Sequence, residues 1–214
     1  MQLYIGNKNY SSWSLRPWLL LKKFNVNFDE VKLDLATPEF YQQLVKISPA
    51  CKVPTLVDDK LVVWDSLAIC EYINEAYLSG RAWPNESFAR AKARALSSEM
   101  HAGFAALRNE MPMNIRAKRI VNLSADAKKD IQRVCDIWTE QLFEYDGWLF
   151  GEWSIADAMF APVVHRFITY GIDVNKDVQA YMTRTLACDA MQKWISEAMI
   201  ETAFVSVGEA GEDI

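Results

Sequence analysis

Histidine is nearly absent from this chain: His101 and His165 are the only two. Neither has a Cys or Glu cluster at ligand spacing, so a metal centre has no support. An excess of basic charge is also missing. The formal net charge is -5 over 214 residues. Nucleic acid is bound through clustered Lys and Arg, so it is not an expected partner. No G-x-x-x-x-G-K-[ST] or G-x-G-x-x-G occurs, which leaves nucleotide binding unsupported. No apolar run approaches the roughly 20 residues needed to cross a membrane. The opening Met-Gln-Leu-Tyr-Ile-Gly has no basic n-region and no cleavage site, so no secretion signal is expected. The four cysteines, Cys51, Cys70, Cys135 and Cys188, form no C-x-x-C pair. They read as reduced thiols of a cytoplasmic protein, mostly packed in a core.

What is present is ample apolar material, 51% of residues, enough for a sizeable core in one or two domains. Leu3-Tyr4-Ile5 reads as a short strand. Tyr10 to Phe24 reads as a helix, with a serine cap and Pro17 within its first turn. Ser14, so close to Pro17, suits the capping role, and Lys22-Lys23 favour the C-terminal end. Phe28 to Leu35 reads as a second strand. Thr37-Pro38-Glu39 opens a helix that ends near Ser48-Pro49. Thr55-Leu56-Val57 and Leu61-Val62-Val63 form a hairpin around Asp58-Asp59-Lys60. Asp65 or Ser66 then caps a helix carrying Leu67, Ile69, Cys70, Tyr72 and Ile73. Gly80, Pro84 and Asn85 break the pattern and mark a boundary. Beyond it no strand is expected. Ala89 to Met111 reads as one long helix, ended or kinked by Pro112. Ser124 starts a further helix that closes at Gly147. Ser154-Ile155-Ala156-Asp157 has the spacing of a capping box and opens a helix to Gly171. Shorter helices follow near Asp177–Leu186 and Asp189–Met199, and the polar tail from Gly208 to Asp213 is expected to fray. The predicted order is an α+β unit, residues 1–80, followed by an all-helical unit, residues 86–214.

The stretch Cys51-Lys52-Val53-Pro54-Thr55 through Trp64-Asp65-Ser66 carries the most specific signal. A Pro just before an apolar run belongs at a strand's first position or in a turn, where its bond can be cis. The unpaired N–H groups of the helix after Asp65-Ser66 attract an anion. Together with the Ser11-Ser12-Trp13-Ser14-Leu15-Arg16 run and the Ser154-x-x-Asp157 cap, this combination resembles the glutathione transferases. The resemblance is to the serine-type, zeta-like and related bacterial members, and it spans almost the whole chain.

The resemblance implies a thioredoxin-like N-terminal domain and a C-terminal α-helical bundle. It implies glutathione as co-substrate, without a metal. Glutathione would lie along Val53 and Pro54, with Asp65 and Ser66 at its γ-glutamyl end and Lys52 at its glycine carboxylate. The family usually has Glu or Gln where Asp65 stands, so this acid is one methylene shorter. A thiol with a pKa of about 8.5 is only a few per cent thiolate at neutral pH. A hydroxyl and a helix N-terminus can stabilise the anion. Ser12 is preferred for this role, with Ser11 as the alternative. Trp13, His101, Arg108 and Met113 are candidates for the second-substrate pocket, together with Tyr10, Phe104 and Asn114. Arg16 is a candidate brace between the domains. The expected function is conjugation of glutathione to a small electrophile by a homodimer. A zeta-type isomerase of the maleylacetoacetate kind is the alternative, although such enzymes usually carry Cys where Trp13 stands. A non-catalytic glutathione- or protein-binding module is the third reading.

Overall fold

The computed structural model describes residues 1–214. It begins with a strand–helix–strand unit: β1 (Gln2–Ile5), α1 (Ser12–Lys23) and β2 (Asp29–Lys32). Then come α2 (Pro38–Leu44), the hairpin β3 (Thr55–Asp58) and β4 (Leu61–Trp64), and α3 (Ser66–Ala76). The sheet order is β2-β1-β3-β4, with β1 and β2 parallel and the other pairs antiparallel. Leu3 stands opposite Leu56. Both are fully buried, as is Ile5, so the period-2 pattern sends these side chains inward. The chain then continues as helices: α4 (Ser87–Ala102), α5 (Ala105–Glu110), α6 (Ala125–Glu144), α7 (Ile155–Thr169), α8 (Lys176–Ala187) and α9 (Asp189–Met199). No helix is long and apolar enough to cross a membrane.

Helix α1 is the joint between the two halves. It packs on α3 within the first half and on α7 within the second. Ser11, not Ser14, is its N-cap residue, and its side chain makes no cap bond. Pro17 therefore sits in the second turn rather than the first. An interior proline costs about 3 kcal/mol. The helix persists because Leu15, Trp18, Leu19, Leu20 and Leu21 are all buried, at about 1.5–3 kcal/mol for each large apolar side chain. Arg16 crosses to the helical half, where its Nε donates to the Met159 carbonyl at 3.1 Å.

Three expectations change. The long helix over 89–111 is two helices, because the chain breaks at Gly103-Phe104. Phe104 adopts φ 57°, a left-handed conformation. A Cβ on Gly103 would lie 2.8 Å from the Glu99 carbonyl oxygen. The apolar period runs through this break because Phe104 still reaches the core, where only 6% of it is exposed. The helical half also contains strands. Two-residue strands β5 (Arg119–Ile120) and β6 (Glu212–Asp213) pair antiparallel. Consequently the tail is anchored: Arg119 bridges to Glu209 and Asp213, and Glu209 accepts the Tyr10 hydroxyl. These partners are some ninety residues or more apart in sequence, so no local pattern announces them.

Candidate functional site

Val53-Pro54 is a cis peptide that leads into β3. Eleven residues after Pro54, Asp65 turns the chain from β4 into α3 at φ 76°. One carboxylate oxygen of Asp65 accepts from the N–H groups of Leu67 (3.0 Å) and Ala68 (3.2 Å). The other lies 2.9 Å from His101 Nε2, which reaches over from α4. Asp65 is thus the N-cap, and Ser66 is the first helical residue. The Ser66 hydroxyl is buried and has no hydrogen-bond partner. Asp65, held by His101 and by the Leu67 and Ala68 N–H groups, and Ser66, whose hydroxyl is free, line a cleft of about 470 Å³. Lys52, Val53, Pro54, Trp13 and His101 also line it.

A second cleft, of about 350 Å³, adjoins the first and shares Trp13, Lys52 and Val53 with it. Ser11, Ser12, Tyr10 and Cys51 line it. The two clefts meet at Trp13, Lys52 and Val53 as one groove, with Ser66 in the first cleft and the serines of the α1 N-terminus in the second. The two serines are engaged differently. Ser11 donates to Ser14 Oγ at 2.7 Å, and Ser14 also accepts the Gly6 N–H at 3.1 Å. Ser14 is therefore a buried link from α1 to the end of β1. Ser12 Oγ accepts from Arg166 Nη2 on α7 at 3.2 Å.

Trp13 lines both clefts and packs against side chains of the helical half. The Arg16 guanidinium lies 4.2 Å from its ring centroid and that of Arg108 5.3 Å. The His101 ring meets it edge-on at 5.3 Å. Arg108 also donates to the carbonyls of Met100 (3.2 Å) and His101 (3.0 Å), which closes the end of α4. Burial pushes Arg16 down to about 9, helped by repulsion from Arg166 and Arg108, and pushes Arg166 down to about 10. Both remain cations at neutral pH.

The structure therefore brings together Ser11, Ser12, Lys52, Val53, Pro54, Asp65, Ser66, Trp13 and His101 around one groove. Arg108 stands behind Trp13. Met113 lies in the core, 1% exposed, and lines neither cleft. Phe104 is likewise buried in the core. The Asn114 side chain is spent on Asn9 and on the Gly208 carbonyl. Two residues of the site were not singled out from the sequence. Trp64 lines the first cleft, and an aromatic immediately before the Asp65-Ser66 cap was a usable local signal. Arg166 had none, since it stands 154 positions from Ser12.

Family models for the glutathione S-transferase N-terminal domain and C-terminal domain match residues 10–76 and 91–184. A probable maleylacetoacetate isomerase of Caenorhabditis elegans is 30% identical over 176 residues, 81% of each chain. A stringent starvation protein A homolog of Pasteurella multocida is 26% identical over 156 residues, 71% of each. Among solved structures, a glutathione transferase homolog from Burkholderia GL BGR1, with bound glutathione, superposes with a TM-score of 0.72 at 24% identity. That match covers 92% of this chain and 97% of the other. A maleyl pyruvate isomerase described as a bacterial zeta-class glutathione S-transferase gives 0.72 at 20% identity, covering 95% and 100%.

Proposed function

The chain belongs to the glutathione S-transferase family, and from that premise we propose that it binds glutathione in the groove and uses Ser12 to hold its sulfur as a thiolate. The γ-glutamyl carboxylate takes the unpartnered Ser66 hydroxyl and the α3 N-terminus. Its ammonium meets Asp65. The cysteinyl backbone runs along Val53. The sulfur then points toward Ser12 in the adjoining cleft. One observation carries the choice of serine: Ser11 donates its hydroxyl to Ser14, whereas the only partner of Ser12 is a donor. An arginine cannot accept a proton, so Ser12 retains an O–H to give to sulfur.

The stabilised thiolate attacks an electrophilic carbon. With an aryl halide, a C–S bond forms and halide leaves. The isomerase reading is favoured by the 30% identity to a probable maleylacetoacetate isomerase. In that chemistry the thiolate adds to a double bond, the adduct rotates, and elimination returns the thiolate unchanged. A homodimer and a cytoplasmic location accompany either reading.

Assays of wild type, Ser12→Ala and Ser11→Ala on a generic aryl halide and on a cis-enone diacid test both. Removal of one preorganised donor costs about 10²-fold in turnover. Ser12→Ala should lose that much and Ser11→Ala far less. Equal losses, or none, would reject the assignment. The substrate turned over faster by wild type decides between conjugation and isomerisation.

A further inference from the structure

Arg16 and Arg108 stand over Trp13 and Arg166 bonds the Arg108 carbonyl, yet the salt bridges made by arginine in this chain belong to Arg94, Arg119 and Arg133. A buried guanidinium without a carboxylate needs another reason for its place. Arg166 sits on α7 with about 5% of its surface exposed. Its Nη1 donates to the carbonyl of Arg108 at 3.1 Å and to that of Met111. Its Nη2 donates to Ser12 Oγ at 3.2 Å. The two prongs serve different masters. One ties down the end of α5, and the other reaches the α1 N-terminus.

A guanidinium has five donors and no acceptor. Ser12 oxygen can only accept from it, so the single hydroxyl proton is turned away from Arg166. Ser12 lines the groove. Asp65, the acid of the first cleft, is already held by His101 and by two backbone N–H groups, so it does not compete for Arg166.

We propose that Arg166 is a positioning residue whose second prong fixes the rotor of Ser12 so that the hydroxyl proton points into the groove, at the sulfur of bound glutathione. This rests on the reading of Ser12 given above. A rigid fork is required because the two prongs act at once. A lysine keeps the charge but has a single ammonium, which cannot hold the α5 carbonyls and Ser12 together.

The test is an ultraviolet titration of the glutathione thiolate bound to wild type, Ser12→Ala, Arg166→Lys, Arg166→Gln and the Ser12→Ala/Arg166→Lys double variant, each checked for folding by its circular dichroism melt. The wild-type bound thiol should titrate below the ordinary value of about 8.5. Ser12→Ala should move the titration upward by about two pH units, the roughly hundredfold loss on the acid side expected for that hydroxyl, and Arg166→Lys by about one unit, a roughly tenfold loss of kcat/KM. The KM for glutathione should stay nearly unchanged. The double variant should titrate where Ser12→Ala does, because Arg166 acts through that hydroxyl. Arg166→Lys carries the result if Arg166→Gln does not fold. An Arg166→Lys titration matching wild type, beside a shifted Ser12→Ala, would overturn the role of Arg166 alone and assign the effect to charge. A Ser12→Ala titration matching wild type, or no glutathione binding by wild type, would overturn the reading of Ser12 and this inference with it.

Discussion

On the sheet side of the groove, Val53, Pro54, Asp65 and Ser66 come from one stretch of fourteen residues. They act through backbone groups, a carboxylate and a hydroxyl. On the helical side, His101, Arg108 and Arg166 come from α4, α5 and α7, and two of the three are guanidiniums without ion-pair partners. The sheet wall is a local device, made by a turn and a helix start. The helical wall is assembled by packing, and its charges are held by carbonyls. Under the proposed function, recognition of the peptide falls to the part least sensitive to domain packing, and chemistry at the sulfur depends on the part most sensitive to it.

The largest test of this contrast removes the anchor of α7. Asp157 is buried and accepts from Ser154 N (2.9 Å), Leu149 N (3.2 Å) and the Tyr181 hydroxyl (3.1 Å). Asp157→Ala strands these donors, at about 1–3 kcal/mol each. Denaturant unfolding should show a loss of more than about 3 kcal/mol, and Ser12-dependent turnover should fall in the fraction that still folds. Loss of stability without change in turnover would separate α7 from the site.

A pH experiment probes the same helix. Burial holds His165 down to about 4, while burial raises Asp157 to about 6. The histidine contribution is complete above the usual value of about 6.5 and is lost as pH falls toward 4. The Asp157 contribution has the opposite sign, complete below the ordinary carboxylate range and lost as pH rises through 6. His165→Gln should therefore remove the acid-side loss and keep the gain. Relative to wild type, it should gain about 3 kcal/mol of stability between neutral pH and pH of about 4. A flat difference between the two proteins would refute the burial argument.

On the sheet side the effects are smaller and confined to binding. Asp65→Asn should keep the helix cap and lose the charge, weakening glutathione binding about tenfold by calorimetry, with little change in the bound thiol's titration. A shifted titration would mean that the two walls are not separable. Lys52→Ala should weaken binding only about two- to five-fold, since Lys52 is exposed and a solvated ion pair contributes little. A larger loss would place that ammonium in a far drier contact than the groove shows.

The legibility of the molecule follows the same division. The Val53-Pro54 strand start, the Asp65-Ser66 helix start and the Ser154-x-x-Asp157 capping box could be read directly, because each is satisfied within a few residues. The succession of strands and helices in the first half was legible from such local signals, whereas the order of strands in the sheet was not. The break at Gly103-Phe104 was hidden by a continuous apolar period. Met113 was a pocket candidate only through the resemblance, and it is buried in the core, 1% exposed.

From sequence alone came the Val53-Pro54 turn ahead of a hairpin and a capped helix start, and a serine-rich first helix with a mainly helical half behind it. Hydrogen bonds between near neighbours impose these, whatever the rest of the chain does. Tertiary structure alone decided that Ser11 is spent on Ser14, that Trp13 lies between two cations, and that Arg166 reaches Ser12. Those relations exist because burial of apolar faces sets α1 against α7, and only that packing brings a guanidinium across 154 positions to one hydroxyl.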